Sequence, residues 1–499
     1  MIARRSLLVT LLSGCTGLVP SSWQAWGASR SRPSRPKGTD AIWKSNYSGT
    51  RVWGYVDKHS IVPGQPFNIM LGTPPSHVAV KGKIEIYRIG YYQSGDRKLV
   101  WRCENVNAPQ VDVQMTAAAL GAGWSPVADH VDTRGWQSGY HTIDFIDDRD
   151  GHRDQDVASI VVTNPEKTGD VVVVLSTNTY QAYNQWGGYS FYESAFVGDR
   201  AQVISFNRPT PPDFFEYEYF FVMWLEKVAA TEKIKIDYAT NFDVFRDREF
   251  ATRYKLFISG SHNEYWSKEE FDSVYKRIFE LGKNTLFLGA NTAYWQVRYA
   301  DCDSADGSGN WGRQLICYKS EDDPIRYLTD EKDNILLVTE RFRDEARRPE
   351  TMLMGVAYQS YFQPVTETNP RYPYFVTCTD LPFFKGTDYK EGEAIGNIVG
   401  YEWDNTDPEA DGKRLWDPKR SRIEPIDRES IKVVFTGSPV DLNGKRGKAE
   451  AVYFVSKAGA KVFSTGSIRW SWGLGKQNFE QEKFKTFNRN LLMHLLELE

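Results

Sequence analysis

From residue 42 to about 165 the chain reads as short β segments cut by turn residues. Phe67-Asn68-Ile69-Met70-Leu71 follows the turn signal Val62-Pro63-Gly64-Gln65-Pro66, and Lys83–Ile89, Tyr140–Ile146 and Val157–Thr163 are rich in β-branched and aromatic residues. Strands at such spacing, punctuated by Gly and Pro, predict a β-sandwich of immunoglobulin-like type over 42–165. After Pro165 the pattern changes. Asp170-Val171-Val172-Val173-Val174-Leu175 is a continuous apolar run, as a parallel strand buried on both faces requires. Lys255–Ile258 and Asn284–Gly289 repeat that pattern, and Lys432–Phe435 and Lys461–Phe463 follow it later. Ser267–Leu281 has helical periodicity, and Phe487–Leu496 closes the chain as an amphipathic helix. Strands alternating with helices predict an open α/β sheet over 166–499. Within it, a Pro- and Asp-rich stretch at about 340–430 reads as a loop-rich, lid-like insertion.

The first 28 residues read as an export signal: two Arg within Met1–Arg5, then a mostly apolar run over Ser6–Leu12. Two processing routes stay open. Leu12-Ser13-Gly14-Cys15 fits a bacterial lipobox, which would leave Cys15 lipidated and the protein attached to a membrane. Alternatively, Ala25-Trp26-Gly27 or the adjacent Ala28 supplies small residues for a signal peptidase, and Arg4-Arg5 loosely matches a twin-arginine signal. The apolar run is too short to span a bilayer. Residues 29–41, basic and rich in Ser and Pro, read as a flexible linker. The expected location is the periplasm, free or as an anchored lipoprotein, where a Cys302–Cys317 disulfide is permitted but not demanded.

Composition narrows the function. The 499 residues are 41% hydrophobic and 25% charged, as in an ordinary globular protein, and the net charge of −4 disfavours a nucleic-acid partner. A homo-oligomer is compatible with everything in the sequence. Of the seven His, only His262 falls between 165 and 490, and neither HExxH nor CxxC occurs, so zinc lacks its usual ligands. The aromatic content of 14% fits exported β-rich proteins, sugar binders and Tyr-using sites alike.

Three polar-aromatic segments each follow a predicted strand: Ser176–Gly188, Ser259–Trp266 and Gly289–Trp295. In open α/β sheets such loops leave the carboxyl ends of the strands and build sites there. Ser261 sits on a strand-to-helix turn, but Asn263 replaces the second Gly of a nucleophile elbow and a triad His is lacking. A metal suits the residues better. Glu264 and the neighbouring Tyr are hard oxygen donors, and a phenol with a pKa near ~10 needs a strongly acidic cation such as ferric iron to ionise it. The alternative is that these Tyr and Trp are packing aromatics, with His262 and Glu264 as capping or network residues.

Taken together, Tyr180-Gln181-Ala182-Tyr183-Asn184-Gln185-Trp186-Gly187-Gly188, Ser261-His262-Asn263-Glu264-Tyr265-Trp266 and Gly289-Ala290-Asn291-Thr292 resemble the large (β) subunit of N,N-dimethylformamidase. Arg88-Ile89-Gly90-Tyr91-Tyr92 and Gly400-Tyr401-Glu402-Trp403-Asp404 extend the likeness over roughly residues 45–495. The resemblance implies an immunoglobulin-like domain followed by a glutamine-amidotransferase-like α/β domain, and a hydrolase of an amide C–N bond in a small substrate. It implies a mononuclear ferric iron (Fe3+) held by Tyr140, Tyr183 and Glu264, with His262, Asn291, Lys319 and Glu402 around it as catalytic residues; Tyr180 is a near neighbour of Tyr183. Two departures stand out: the extra N-terminal lectin-like domain is missing, and an export signal is present. Both count against the family's usual substrate and small-subunit partner. A non-catalytic binder of glycans or of a surface partner, and a metal-free Ser hydrolase, are the competing functions.

The lipobox generates a direct test. Cys15→Ala should release the protein from membranes or block its processing, scored by fractionation and N-terminal mass; unchanged, membrane-free protein in both forms would favour cleavage near Gly27.

Overall fold

The run Val171–Leu175 forms the strand its composition predicts, and its alternation explains the architecture. Val171, Val173 and Leu175 pack into one hydrophobic cluster while Val172 and Val174 pack into a second, so both faces of the strand are covered. The first cluster takes the helices Tyr219–Glu232 and Glu482–Leu496, and the second takes Lys268–Phe279. In the computed structural model the described residues are 50–114, 116–192, 200–210, 213–300, 312–319, 323–327, 335–344, 348–362, 372–410, 413–415 and 426–498. The expected export signal, the linker, Cys15 and Cys302 lie outside them.

Among the described residues the central sheet has nine strands. In spatial order these are Ile236–Thr240, Val171–Leu175, Leu256–Ser259, Thr285–Phe287, Lys461–Ser464, Ala449–Val455, Lys432–Gly437, Tyr372–Val376 and Ala394–Val399. The first five pair in parallel and the rest antiparallel. The fold is therefore mixed α/β, with many strands and few helices. The helix expected over Ser267–Leu281 runs Lys268–Phe279, started by the Ser267 hydroxyl accepting the Glu270 N–H.

Upstream, two sheets share one core. One joins Trp53–Val56, Phe67–Gly72 and Ala128–Val131; the other joins Ser60–Ile61, Arg153–Val162, Gly139–Asp147, Val80–Tyr92 and Gly95–Ala108. Ile69 and Leu71 from the first meet Ile84, Ile86, Ile143 and Phe145 from the second. The long strand Gly95–Ala108 has no apolar face in sequence because it lies at the sheet edge, largely exposed.

The stretch expected to be a lid-like insertion is otherwise employed. It supplies the last two strands of the central sheet, Tyr372–Val376 and Ala394–Val399, and the short strand Glu402–Asn405. Irregular pairing with bulges hides their period in the sequence.

One buried ion pair ties the upstream sheets to the α/β part. Arg88 Nη2 on the strand Val80–Tyr92 lies 2.7 Å from Glu226 Oε1 on the helix Tyr219–Glu232. The same guanidinium donates to Ser138 O and Tyr92 Oη, and Tyr238 Oη donates to Glu226 Oε1. Removing one partner leaves the other's charge buried without compensation, which costs about 3–5 kcal/mol. Glu226→Ala should therefore lower the unfolding free energy by about 3 kcal/mol in urea titrations. A loss below ~1 kcal/mol, the range of an exposed pair, would show that the charge is solvated.

Candidate active site

The parallel strands lie in the order second, first, third, fourth, fifth along the chain, so the connections diverge between Val171–Leu175 and Leu256–Ser259. Crevices at such a switch point, beyond the strands' carboxyl ends, are where open α/β sheets bind ligands. Both loops leaving that point, and the next one from Thr285–Phe287, are the three polar-aromatic segments.

Backbone contacts lock the three together. Gly260 follows its strand with no room for a side chain: a Cβ would stand 2.7 Å from Ser176 Oγ and 2.9 Å from both Glu218 Oε1 and Val174 O. At Gly289 a Cβ would collide with the Ser261 carbonyl, so the third loop can cross the second only with glycine there. Gly289 N–H donates to Thr465 Oγ1 at 2.7 Å. The Glu264 N–H donates to Thr179 Oγ1 at 3.0 Å, and the Glu264 carbonyl accepts from the Tyr294 and Trp295 N–H groups. Asn291 sits at φ +56° with its N–H on Asp404 Oδ1 at 2.9 Å. A left-handed Asn is tolerated where its surroundings fix it.

Glu264, 1% exposed, is the centre. Tyr183 Oη donates to Glu264 Oε2 at 2.7 Å, and Tyr192 Oη donates to Glu264 Oε1 in a still shorter bond. The two phenol rings stack at 4.4 Å between centroids. His262 Nε2 lies 3.4 Å from Glu264 Oε2 and 3.4 Å from Glu402 Oε2, an ion-pair distance to each carboxylate and too long for a strong hydrogen bond to either. Asn291 Nδ2 donates to Glu402 Oε2 at 3.3 Å, and Asn291 Oδ1 is buried with no hydrogen-bond partner. Lys319 Nζ sits 3.2 Å from the Tyr192 ring centroid and 4.7 Å from that of Trp295. The rings of Tyr217 and Tyr401 complete the surround at 5.2 and 6.4 Å from the His262 ring.

Burial dominates the electrostatics. It pushes the Tyr183 and Tyr192 phenols well above their ordinary pKa, and Glu264 adds to that, so both stay protonated and donate. Burial also raises Glu264, but the neighbouring His262 imidazolium outweighs it, and the carboxylate is held below its usual range. Burial pulls His262 down, yet Glu264 and Glu402 together carry it up to about 10. Glu402 ends raised, because desolvation exceeds what His262 returns. Desolvation lowers Lys319 to about 8.

Six of the seven residues expected from the sequence are thus brought together: Tyr183, Glu264, His262, Asn291 and Glu402 in contact, and Lys319 through Tyr192. Tyr140 is not among them. Its ring stacks on Phe214 at 3.9 Å inside the hydrophobic core, and its hydroxyl shares a hydrogen bond with Ser159. The place beside Glu264 expected for Tyr140 is filled by Tyr192. Ser190-Phe191-Tyr192 continues the aromatic segment just past Gly187-Gly188, and that continuity was the available signal. Tyr180 stands beside Glu218 rather than Glu264. Ser261 Oγ is buried with no hydrogen-bonded base among the described residues, so no nucleophile is assembled there.

The family model described as N,N-dimethylformamidase beta subunit-like, C-terminal, matches residues 83–483. The chain belongs to this family. Membership in the dimethylformamidase-like family marks the chain as related to an amide hydrolase, and all six clustered residues fall within the matched span. No curated protein sequence matches. A solved ThuA-like protein from Bacteroides uniformis aligns with a TM-score of 0.30 and 11% identity, covering 55% of this chain and 81% of that one. At that score it carries no weight.

Glu218 lies under the site, accepting from Ser176 Oγ at 2.6 Å, and burial pushes its carboxyl up to about 7 from 4.5. A carboxyl raised in the folded state contributes stability that is complete below the unfolded pKa and lost as pH rises through about 7. Glu218→Gln should remove that slope: between pH 5 and 8 the native protein should lose roughly 1–3 kcal/mol relative to the variant in urea titrations. Parallel curves would mean that Glu218 titrates normally.

Proposed function

We propose that the chain is a hydrolase of an amide C–N bond in a small substrate, working with one ferric iron held by Tyr183, Tyr192 and Glu264. The supporting observation is the single buried carboxylate that receives two phenol hydroxyls, one on each oxygen. Two phenolates and a carboxylate carry three negative charges, which neutralise a trivalent ion. Among the described residues no cluster of three or more His, Cys, Asp and Glu is placed to hold a metal, and this reading relies on Tyr donors instead. A ferric ion there would supply Lewis acidity to an amide carbonyl.

The chain's own residues supply the rest. Glu402 and His262, 3.4 Å apart beside Glu264, can take a proton from the water that adds to the amide carbonyl and deliver it to the amine nitrogen as the C–N bond breaks. Asn291, fixed through its N–H by Asp404 and through its side chain by Glu402, orients the substrate. Lys319 fixes the Tyr192 ring from its face, a cation–π contact worth ~2 kcal/mol when desolvated. In the same reading, the upstream sheets correspond to the immunoglobulin-like domain and the nine-stranded sheet to the glutamine-amidotransferase-like domain of this family. An exported location, inferred from the N-terminal signal, accompanies it.

The test uses purified protein from iron-replete aerobic culture, measuring iron content and the phenolate charge-transfer band. Tyr183→Phe, Tyr192→Phe and Glu264→Gln should each lose iron and colour. Compared as metal-free proteins, the two Tyr variants should unfold close to the wild-type midpoint, each having lost about 1 kcal/mol of hydrogen bonding, while Glu264→Gln should unfold earlier because it leaves His262 without one of its buried counter-charges. Tyr140→Phe and Tyr180→Phe should keep iron and colour. Loss of iron in Tyr140→Phe with retention in Tyr192→Phe would return the second ligand to Tyr140. Colourless, iron-free native protein would remove the metal altogether.

A further inference from the structure

The two tyrosines that meet on Glu264 belong to one loop. The Phe191 N–H donates to the Ala182 carbonyl at 2.9 Å, which closes the neck of a compact loop with Tyr183 just inside it and Tyr192 just beyond. Neither ring's position is set by the neck alone, because the chain between them passes two glycines at positive φ, Gly187 at +90° and Gly188 at +89°. Something inside must hold the loop's shape.

Arg208 does so. Its side chain is fully buried, and its guanidinium donates to backbone carbonyls on both flanks of the loop. Nη1 reaches Trp186 O and, at 3.0 Å, Tyr189 O; Nη2 reaches Gln181 O at 3.2 Å; Nε reaches Ser205 O at 3.0 Å. Gln181 lies two residues before Tyr183 and Tyr189 three before Tyr192, so one rigid planar fork spans both approaches. The neighbouring segment adds further ties: Asn184 Nδ2 donates to Pro209 O at 2.8 Å, and Gln181 Nε2 donates to Thr210 Oγ1. Five N–H donors in a fixed plane can serve this many carbonyls at once; an ammonium, with three donors on a flexible stem, cannot.

We propose that Arg208 is the positioning residue of the site, setting the separation of the Tyr183 and Tyr192 phenols and thereby how tightly and in what geometry they hold the metal. The metal part of this proposal rests on the assignment of Tyr183, Tyr192 and Glu264 as ligands; the spacing part does not. Arg277 provides the matched control. It is equally buried and donates to the carbonyls of Ala251, Tyr254, Lys255 and Asn284, away from the site.

The experiment compares Arg208→Lys with Arg277→Lys in the full chain. Both should lower the melting temperature, but only Arg208→Lys should move the charge-transfer band and speed iron loss to a chelator, by about tenfold or more. In crystals of the metal-free protein it should also widen the Tyr183–Tyr192 centroid distance from 4.4 Å by about 1 Å. A native band, release rate and ring separation in Arg208→Lys would overturn the proposal, as would equal changes in Arg277→Lys. If Arg208→Lys does not fold, Asn184→Ala loosens the same loop with Arg208 in place and should shift the band in the same direction; an unmoved band overturns the proposal. If the native protein holds no iron, the ligand assignment fails, and the ring separation alone decides the role of Arg208.

Discussion

Everything at the site depends on keeping the Glu264 carboxylate ionised at 1% exposure. Taking an isolated carboxylate from water costs far more than any one neighbour returns. The protein meets that cost with several partners: two phenol hydroxyls, the His262 imidazolium at 3.4 Å and the field of Lys319. His262 is itself buried and so must be held by something else, whereas Tyr192 keeps 39% of its surface exposed. His262 is shared with Glu402, Glu402 takes a hydrogen bond from Asn291, and Asn291 is fixed by Asp404. The result is a polar network fastened at one charge, inside layers that are otherwise apolar.

That network draws on distant parts of the chain. Tyr183 and Tyr192 come from the first parallel strand's loop, His262 and Glu264 from the third's, Asn291 from the fourth's, and Glu402 with Asp404 from the strand Glu402–Asn405. The stretch that looks like a covering insertion therefore carries a wall of the site and two strands of the sheet beside it. The ion pair of Arg88 with Glu226 anchors the helix Tyr219–Glu232, whose preceding residues Tyr217 and Glu218 form the floor under His262.

The legible parts of this arrangement were those governed by local pattern. Apolar runs such as Val171–Leu175 announce buried parallel strands because they are β-branched and too short for a helix, and loops after such strands announce a site. Motif order then singled out Glu264, His262, Asn291 and Tyr183. Less legible was whatever depends on three-dimensional closure. Tyr192 lies nine residues past Tyr183, and only the closed neck of the loop, from Ala182 to Phe191, turns that separation into a stacked pair. Tyr140 has a suitable side chain and neighbours, but its strand faces Phe214 instead of Glu264. The strands of 372–399 were hidden by bulges, and Gly95–Ala108 by its exposure, since neither leaves a clean two-residue period.

The crossing of the third loop over the second, permitted by Gly289, has a dynamic consequence. The loops bearing Tyr183, Glu264 and Asn291 are rooted on three hydrogen-bonded neighbours in the middle of the sheet, and their backbones interlock at Ser261 and Glu264. Local opening draws on elements with few buried contacts, and these roots are among the most buried segments of the chain. Amide protons at Ile258 and Leu286 should therefore be among the slowest to exchange. The loops that carry these side chains thus move only with the sheet on which they are rooted.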